Sequence, residues 1–139
     1  MYPELEPWAK NELIKITSHL RELGYQIRPG LKPPQIIAQK PGETVDITIE
    51  LFKECVMFNS LWQCSDYART NFIKYLEIVN QLNLDSLAVQ FCVNYMGALS
   101  MTLFHFGLYT RDSFNTFYKT WKTDIDKLWF SETRLIYLV

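Results

Sequence analysis

The sequence predicts an α+β fold in which helices accompany a five-stranded antiparallel sheet, in the order α-β-β-β-α-β-β-α. Three segments repeat apolar residues at helical spacing, and five short segments are rich in alternating apolar and β-branched residues. The strands come in runs rather than singly between helices, which favours an antiparallel sheet over repeated βαβ units. A chain of 139 residues is long enough to bury one core, so we expect a single domain over residues 1–139.

The first half of the chain combines one helix with three strands. Pro7 begins the helix, because its missing N–H costs nothing at the first helical position. The helix has an apolar face consisting of Leu13, Ile16, Leu20 and Leu23, and Gly24 ends it as a left-handed cap. A turn-rich passage, RPGLKPP, separates it from strands predicted over residues 36–40, 45–51 and 54–62.

The second half continues with a helix, two strands and a last helix. Ser65 and Asp66 predict the N-cap of a helix over residues 68–82, and strands follow over residues 87–94 and 99–110. Thr110 caps the last helix, whose apolar face consists of Phe114, Phe117, Trp121, Ile125 and Leu128. Asp124 and Asp126 are expected to be solvated. The tail RLIYLV predicts a packed segment or a short edge strand.

Two of the predicted strands, 54–62 and 99–110, are apolar on both faces. A small antiparallel sheet normally leaves one face to solvent, so the second face needs a cover. Either the middle helix folds over it, or it forms an exposed apolar patch of the kind that marks an interaction site. On the second alternative, the predicted protein-contact residues are Met57, Leu61, Met101, Leu103, His105 and Tyr109.

Composition and charge exclude several classes of protein. The formal net charge is −1, with no basic block to neutralise phosphates, so no nucleic-acid partner is expected. The longest apolar run is too short to span a bilayer, and no secretory signal opens the chain, so no membrane association is expected. Three cysteines at irregular spacing favour a reducing, cytoplasmic location over a disulfide framework. No metal-ligand spacing or phosphate-binding loop is present, so we expect no metal and no cofactor.

One pair of residues suggests thiol chemistry. Cys64 lies just before a predicted helix, where the helix dipole favours a thiolate, and His105 would be its base. No third group is available to orient the imidazole, so we interpret both as structural and predict no catalytic residue. The alternative is a carrier of a small apolar ligand, or a thiol-dependent enzyme, with an aromatic-lined pocket that includes these two residues.

Two passages resemble a known group of proteins: FIKYLEIVNQLNLDSLAVQFCVN, residues 72–94, and YTRDSFNTFYKTWKTDIDKLW, residues 109–129. With the order of elements, they resemble the type III secretion chaperone-like fold and the YbjN-like proteins that share it, including uncharacterised relatives from photosynthetic bacteria and plastids. The resemblance extends over residues 7–129. It implies a homodimer that binds an extended segment of another protein without catalytic residues. We therefore predict a non-enzymatic, homodimeric protein-binding adaptor or chaperone-like module.

Overall fold

The computed structural model describes residues 6–31, 34–43, 45–53 and 55–139, and these ranges contain five helices and six strands. The helices are α1 (Pro7–Glu22), α2 (Asp66–Thr70), α3 (Phe72–Asp85), α4 (Arg111–Trp129) and α5 (Glu132–Tyr137). The strands are β1 (Gln26–Pro29), β2 (Gln35–Gln39), β3 (Ile47–Phe52), β4 (Cys55–Trp62), β5 (Gln90–Val93) and β6 (Leu99–Phe106). They form one sheet in the order β1-β2-β3-β4-β6-β5. The predicted α+β class with an antiparallel sheet is confirmed.

The prediction of five strands is wrong by one, because β1 forms where the sequence indicated only a turn. β1 pairs antiparallel with β2, from Gln26 opposite Gln39 to Pro29 opposite Ile36. As an edge strand it buries little, so it shows no alternation of apolar and polar residues. Pro29 is tolerated because an edge strand has one side without a ladder partner.

The chain forms two compact units. The first contains the described residues up to Ser60 together with Phe104–Asn115, and the second contains Leu61–Leu103 and Thr116–Val139. β4, β6 and α4 each contribute residues to both units. The single domain expected from chain length stays a prediction.

In the first unit, alternation places one face of the meander β1–β4 in a core. Ile36 lies opposite Ile49, and Ile49 lies opposite Phe58, so buried side chains line up across three strands. The ring of Phe58 packs edge-on against Phe114, with centroids 5.9 Å apart. The buried apolar face of α1 consists of Ala9, Leu13, Ile16 and Leu20, as its helical spacing predicts.

In the second unit, the predicted middle helix is divided in two. Asn71 has φ −114° and ψ 53°, which ends α2 before α3 begins. Its side-chain amide donates to the carbonyl oxygen of Tyr67 at 3.0 Å, so the helix carbonyl keeps a partner at the break. The predicted cap at Ser65 is confirmed, since its Oγ accepts the Ala68 N–H at 3.1 Å.

The tail of the chain is mainly helical and buries Tyr137 and Leu138, which fits the predicted packed segment rather than the alternative of a short edge strand. Ser131 caps α5 by accepting the Arg134 N–H at 3.4 Å. The Arg134 guanidinium lies 4.0 Å from the centre of the Trp129 ring, and Nε donates to the Trp129 carbonyl at 2.6 Å. Only beyond this helix does Leu138 form an isolated antiparallel bridge with Cys64.

Asp124 is not the solvated charge that the sequence predicts. Its side chain is 1% exposed and accepts the backbone N–H groups of Leu87, Ala88 and Val89 at 2.8, 3.0 and 3.0 Å. These bonds hold the segment that enters β5, which therefore begins three residues later than predicted. Asp126, two positions further along α4, is exposed and pairs with Lys122 at 3.4 Å.

Candidate protein-contact surface

The exposed aromatic side chains of β6 lie at its C-terminal end, in the first unit. Phe104 is 42% exposed and Phe106 is 74% exposed, and their rings stack with centroids 6.3 Å apart and planes at 26°. Gly107, with φ +97°, ends the strand, and the exposed Leu108 follows. We call Phe104, Phe106 and Leu108 the outer strip. The strip leaves an apolar, aromatic surface in contact with solvent.

The structure places Met101 and Leu103 in the core rather than on an exposed surface. Met101 is 0% exposed and Leu103 is 7% exposed, and Trp62 Nε1 donates to Met101 Sδ at 3.0 Å. Both alternating sets of β6 are apolar, so alternation alone does not say which set faces the core. The sequence prediction chose the wrong set for exposure, and the outer strip belongs to the opposite one.

Met57 and Leu61 lie on the face of β4 opposite to its buried residues. The buried set consists of Val56, Phe58, Ser60 and Trp62. Met57 is half-buried and belongs to the first unit, whereas Leu61 is exposed and belongs to the second. A contact role for either residue stays a prediction.

His105 and Tyr109 are held by polar neighbours. His105 Nε2 lies 3.5 Å from Ser113 Oγ, and burial lowers the pKa of the imidazole. The Tyr109 hydroxyl lies 2.7 Å from His19 Nδ1, and the Tyr109 N–H donates to Glu12 Oε2 at 2.7 Å. Burial is the largest cause of the raised pKa of Tyr109. Because these contacts anchor both residues, a contact role for them also stays a prediction.

A buried polar group on α1 was missed by sequence reasoning. His19 is buried, and its Nε2 lies 2.7 Å from Asn115 Oδ1. An amide oxygen only accepts, so Nε2 carries the proton, and in the neutral ring Nδ1 accepts from Tyr109. Glu12 and His19 are spaced seven residues apart, on the side of the helix that also buries Leu13 and Leu20. This spacing is the sequence pattern from which burial of both polar residues could have been predicted.

Cys64 packs in the core of the second unit. It is 1% exposed, and a Cβ added at Gly97 would come within 3.1 Å of its sulfur. The Tyr75 hydroxyl donates to the Gly97 carbonyl at 3.1 Å, which helps to close this region. Cys64, the nucleophile of the alternative thiol-dependent enzyme, therefore has little access to a substrate.

The same unit contains a cavity of about 330 Å³, within the size range of small-ligand sites. Its apolar lining consists of Ile78, Leu82, Phe91 and Leu128, with polar residues of α3 and α4 around them. Among the described residues that line it, Phe91 is the one aromatic, and Cys64 is not one of them. This cavity differs from the aromatic-lined pocket that a carrier or a thiol-dependent enzyme was predicted to have.

The described residues offer neither a metal-binding cluster nor a membrane-spanning helix. Among them, no group of three or more histidine, cysteine, aspartate or glutamate side chains is placed to hold a metal ion. In the same part of the chain, no helix combines the length with the apolar character that crossing a bilayer requires.

The helices and the single antiparallel sheet described above define an α+β protein. No protein-family model and no curated protein sequence matches the chain. Among solved structures, the chain is similar to the crystal structure of YbjN from E. coli, a proposed transcription regulator, with a TM-score of 0.72 at 14% sequence identity. The match covers 91% of this chain and 95% of that one. The chain therefore has a YbjN-like fold, as the resemblance predicted.

Proposed function

We propose that this protein is a non-enzymatic protein-binding module that self-associates through the outer strip. The observation that supports this proposal is the stacked, exposed pair Phe104 and Phe106. Adjacent exposed aromatic side chains are typical of the centre of protein interfaces, where they supply large apolar contact area. Burying both rings in a partner removes that area from water without any change in the chain itself.

The partner that we propose for the outer strip is a second copy of this chain. A two-fold axis places the same residues on both sides of an interface, so the surface must complement itself. Residues 98–109 contain no Asp, Glu, Lys or Arg, so two copies can meet here without placing like charges together. Met57, half-buried in the same unit, is a further candidate contact residue with a flexible apolar side chain.

An adaptor or chaperone-like role would place an extended segment of another protein on the same strip. The YbjN structure is described as that of a proposed transcription regulator. If this chain has a comparable role, we propose that it acts through protein contacts, because its net charge of −1 offers no surplus of positive charge to duplex DNA.

The test is the solution mass by light scattering across a dilution series, for wild type and for Phe104→Ser with Phe106→Ser. We expect a dimer for wild type and a monomer for the double variant at the same concentration. The matched control is Ile14→Ser, which removes an exposed apolar side chain of the first unit on α1. We expect this control to dimerise like wild type.

Two results would overturn the proposal. A wild-type monomer at every concentration would exclude a second copy and would leave an extended segment of another protein as the occupant to test. A double variant that dimerises as strongly as wild type would place the interface elsewhere. Met101→Asp and Leu103→Asp are unsuitable as tests, since each would place a charge in the core.

A further inference from the structure

Among the strands of the described residues, β5 lies at an edge of the sheet and has β6 as its single neighbour. The register places Gln90 opposite Thr102, Phe91 opposite Met101, and Cys92 opposite Ser100. In an antiparallel strand, successive residues direct their N–H and C=O groups to opposite sides. An edge strand therefore presents every second residue to solvent, where another strand can pair with it.

Asn83, near the C-terminal end of α3, occupies that open side at Phe91. Its Oδ1 accepts the Phe91 N–H at 2.6 Å, and its Nδ2 donates to the Phe91 carbonyl at 2.8 Å. A side-chain amide has the same donor and acceptor groups as a peptide unit. Asn83 thus makes with Phe91 the pair of hydrogen bonds that a residue of a neighbouring strand would make.

The backbone groups of Val89, two residues earlier and just before β5, are also satisfied by side chains. Its N–H donates to Asp124 Oδ2 at 3.0 Å, and its carbonyl accepts from Ser86 Oγ at 2.8 Å. At both positions, the donor and the acceptor are satisfied by side chains. These side chains come from α3, from the loop that follows it and from α4.

No charged side chain of the strands themselves protects this edge. Residues 86–109, which include β5 and β6, contain no Asp, Glu, Lys or Arg. Natural edge strands commonly use lysines, prolines or bulges to prevent pairing with another chain. The strand's own residues therefore supply no like charges to oppose pairing of two copies of β5, and the protection comes from hydrogen-bonding side chains of other segments, among them the Asp124 carboxylate.

We propose that Asn83, Ser86 and Asp124 form a plug that closes the β5 edge against strand addition by a second copy of this chain. Removal of Asn83 frees both main-chain groups of Phe91, and β5 of one copy then pairs with β5 of another. The plug lies in the second unit, whereas the outer strip lies in the first. The inference therefore does not depend on the proposed function.

The test compares Asn83→Ala with wild type by light scattering, each checked for folding by circular dichroism. We expect the mass of the variant to rise above the wild-type mass with concentration, to twice that mass for a monomeric wild type and further for a dimeric one, which has two β5 edges. At low concentration we expect hydrogen exchange of the Phe91 amide to accelerate about tenfold, because its acceptor is gone. The matched control is Asn80→Ala, an exposed position about one helical turn earlier on α3, which should behave like wild type in both measurements.

A second variant separates edge pairing from association of unfolded chains. Gln90→Lys and Cys92→Lys, added to Asn83→Ala, place charges at exposed positions of β5 and should restore the wild-type mass. An Asn83→Ala protein with wild-type mass and unchanged Phe91 exchange would overturn the proposal. Association that persists with both lysines present would also overturn it, since the contact would then lie away from the edge.

Discussion

Asp124 allows a direct measurement of what a buried carboxylate contributes to this fold. We predict that Asp124→Asn strongly lowers the free energy of unfolding, although the two side chains have nearly the same shape. Oδ1 accepts the Leu87 N–H, and Oδ2 accepts those of Ala88 and Val89. An amide keeps one accepting oxygen and turns an NH₂ group toward the remaining N–H donors.

The expected loss follows from the number and the burial of these bonds. Hydrogen bonds to a charged group contribute about 1.5–3 kcal/mol each, and a buried group left unsatisfied costs about 1–3 kcal/mol. The bond to Val89 is buried, whereas those to Leu87 and Ala88 are partly accessible and can be replaced by water. We expect a loss of about 2–4 kcal/mol, or roughly 6–12 °C in melting temperature for a chain of this size.

The matched control is Asp126→Asn, two residues away on the same helix. Asp126 is exposed and pairs only at the surface with Lys122, so its loss should cost about 0.5 kcal/mol or less. Denaturant unfolding at low protein concentration gives both values without interference from self-association. If the two variants differ by less than about 0.5 kcal/mol, the carboxylate does not stabilise the segment before β5 as inferred here.

The remaining predictions concern titration and thiol access. Burial, and secondarily Cys64, raises the pKa of Tyr75 to about 12, whereas in the unfolded chain it titrates near 10. The unfolded state loses this proton first, so the free energy of unfolding should fall between about pH 10 and 12, and Tyr75→Phe should fall less steeply. A thiol reagent should modify the exposed Cys92 first, then the half-buried Cys55, whose pKa burial raises, and Cys64 last. Modification of Cys64 first would instead favour a thiol-dependent enzyme.

The three long helices α1, α3 and α4 were predictable because their signal is local, whereas the break at Asn71 and the short helix α5 were not predicted. Helical spacing places Phe114, Trp121 and Leu128 on one face of α4, and all three are buried. Thr110 accepts the Ser113 N–H at 3.2 Å, as its position before the helix predicts. β3 was predictable for the same reason, because Ile47 and Ile49 alternate with polar residues and lie in the core.

β1 and the exposed side of β6 were not predictable in this way. The four residues of β1 form a strand because β2 lies beside them, and their own sequence shows no alternation. In β6 both alternating sets are apolar, so a shift of one residue exchanges the buried set and the exposed set with little change in hydrophobicity. Of the candidate contact residues predicted on β6, Met101 and Leu103 therefore lie on its buried side.

The amino-acid sequence by itself determined the fold class, the amphipathic helices and the absence of charge over residues 86–109, because each is a property of neighbouring residues. Tertiary structure decided which side of β6 exposes its aromatic rings. It also decided that Asp124 is buried and that Asn83 closes an edge strand. These outcomes depend on groups far apart in sequence, such as Asp124 and the N–H of Val89. A buried polar group is stable only where such a partner reaches it, and only the folded chain brings the two together.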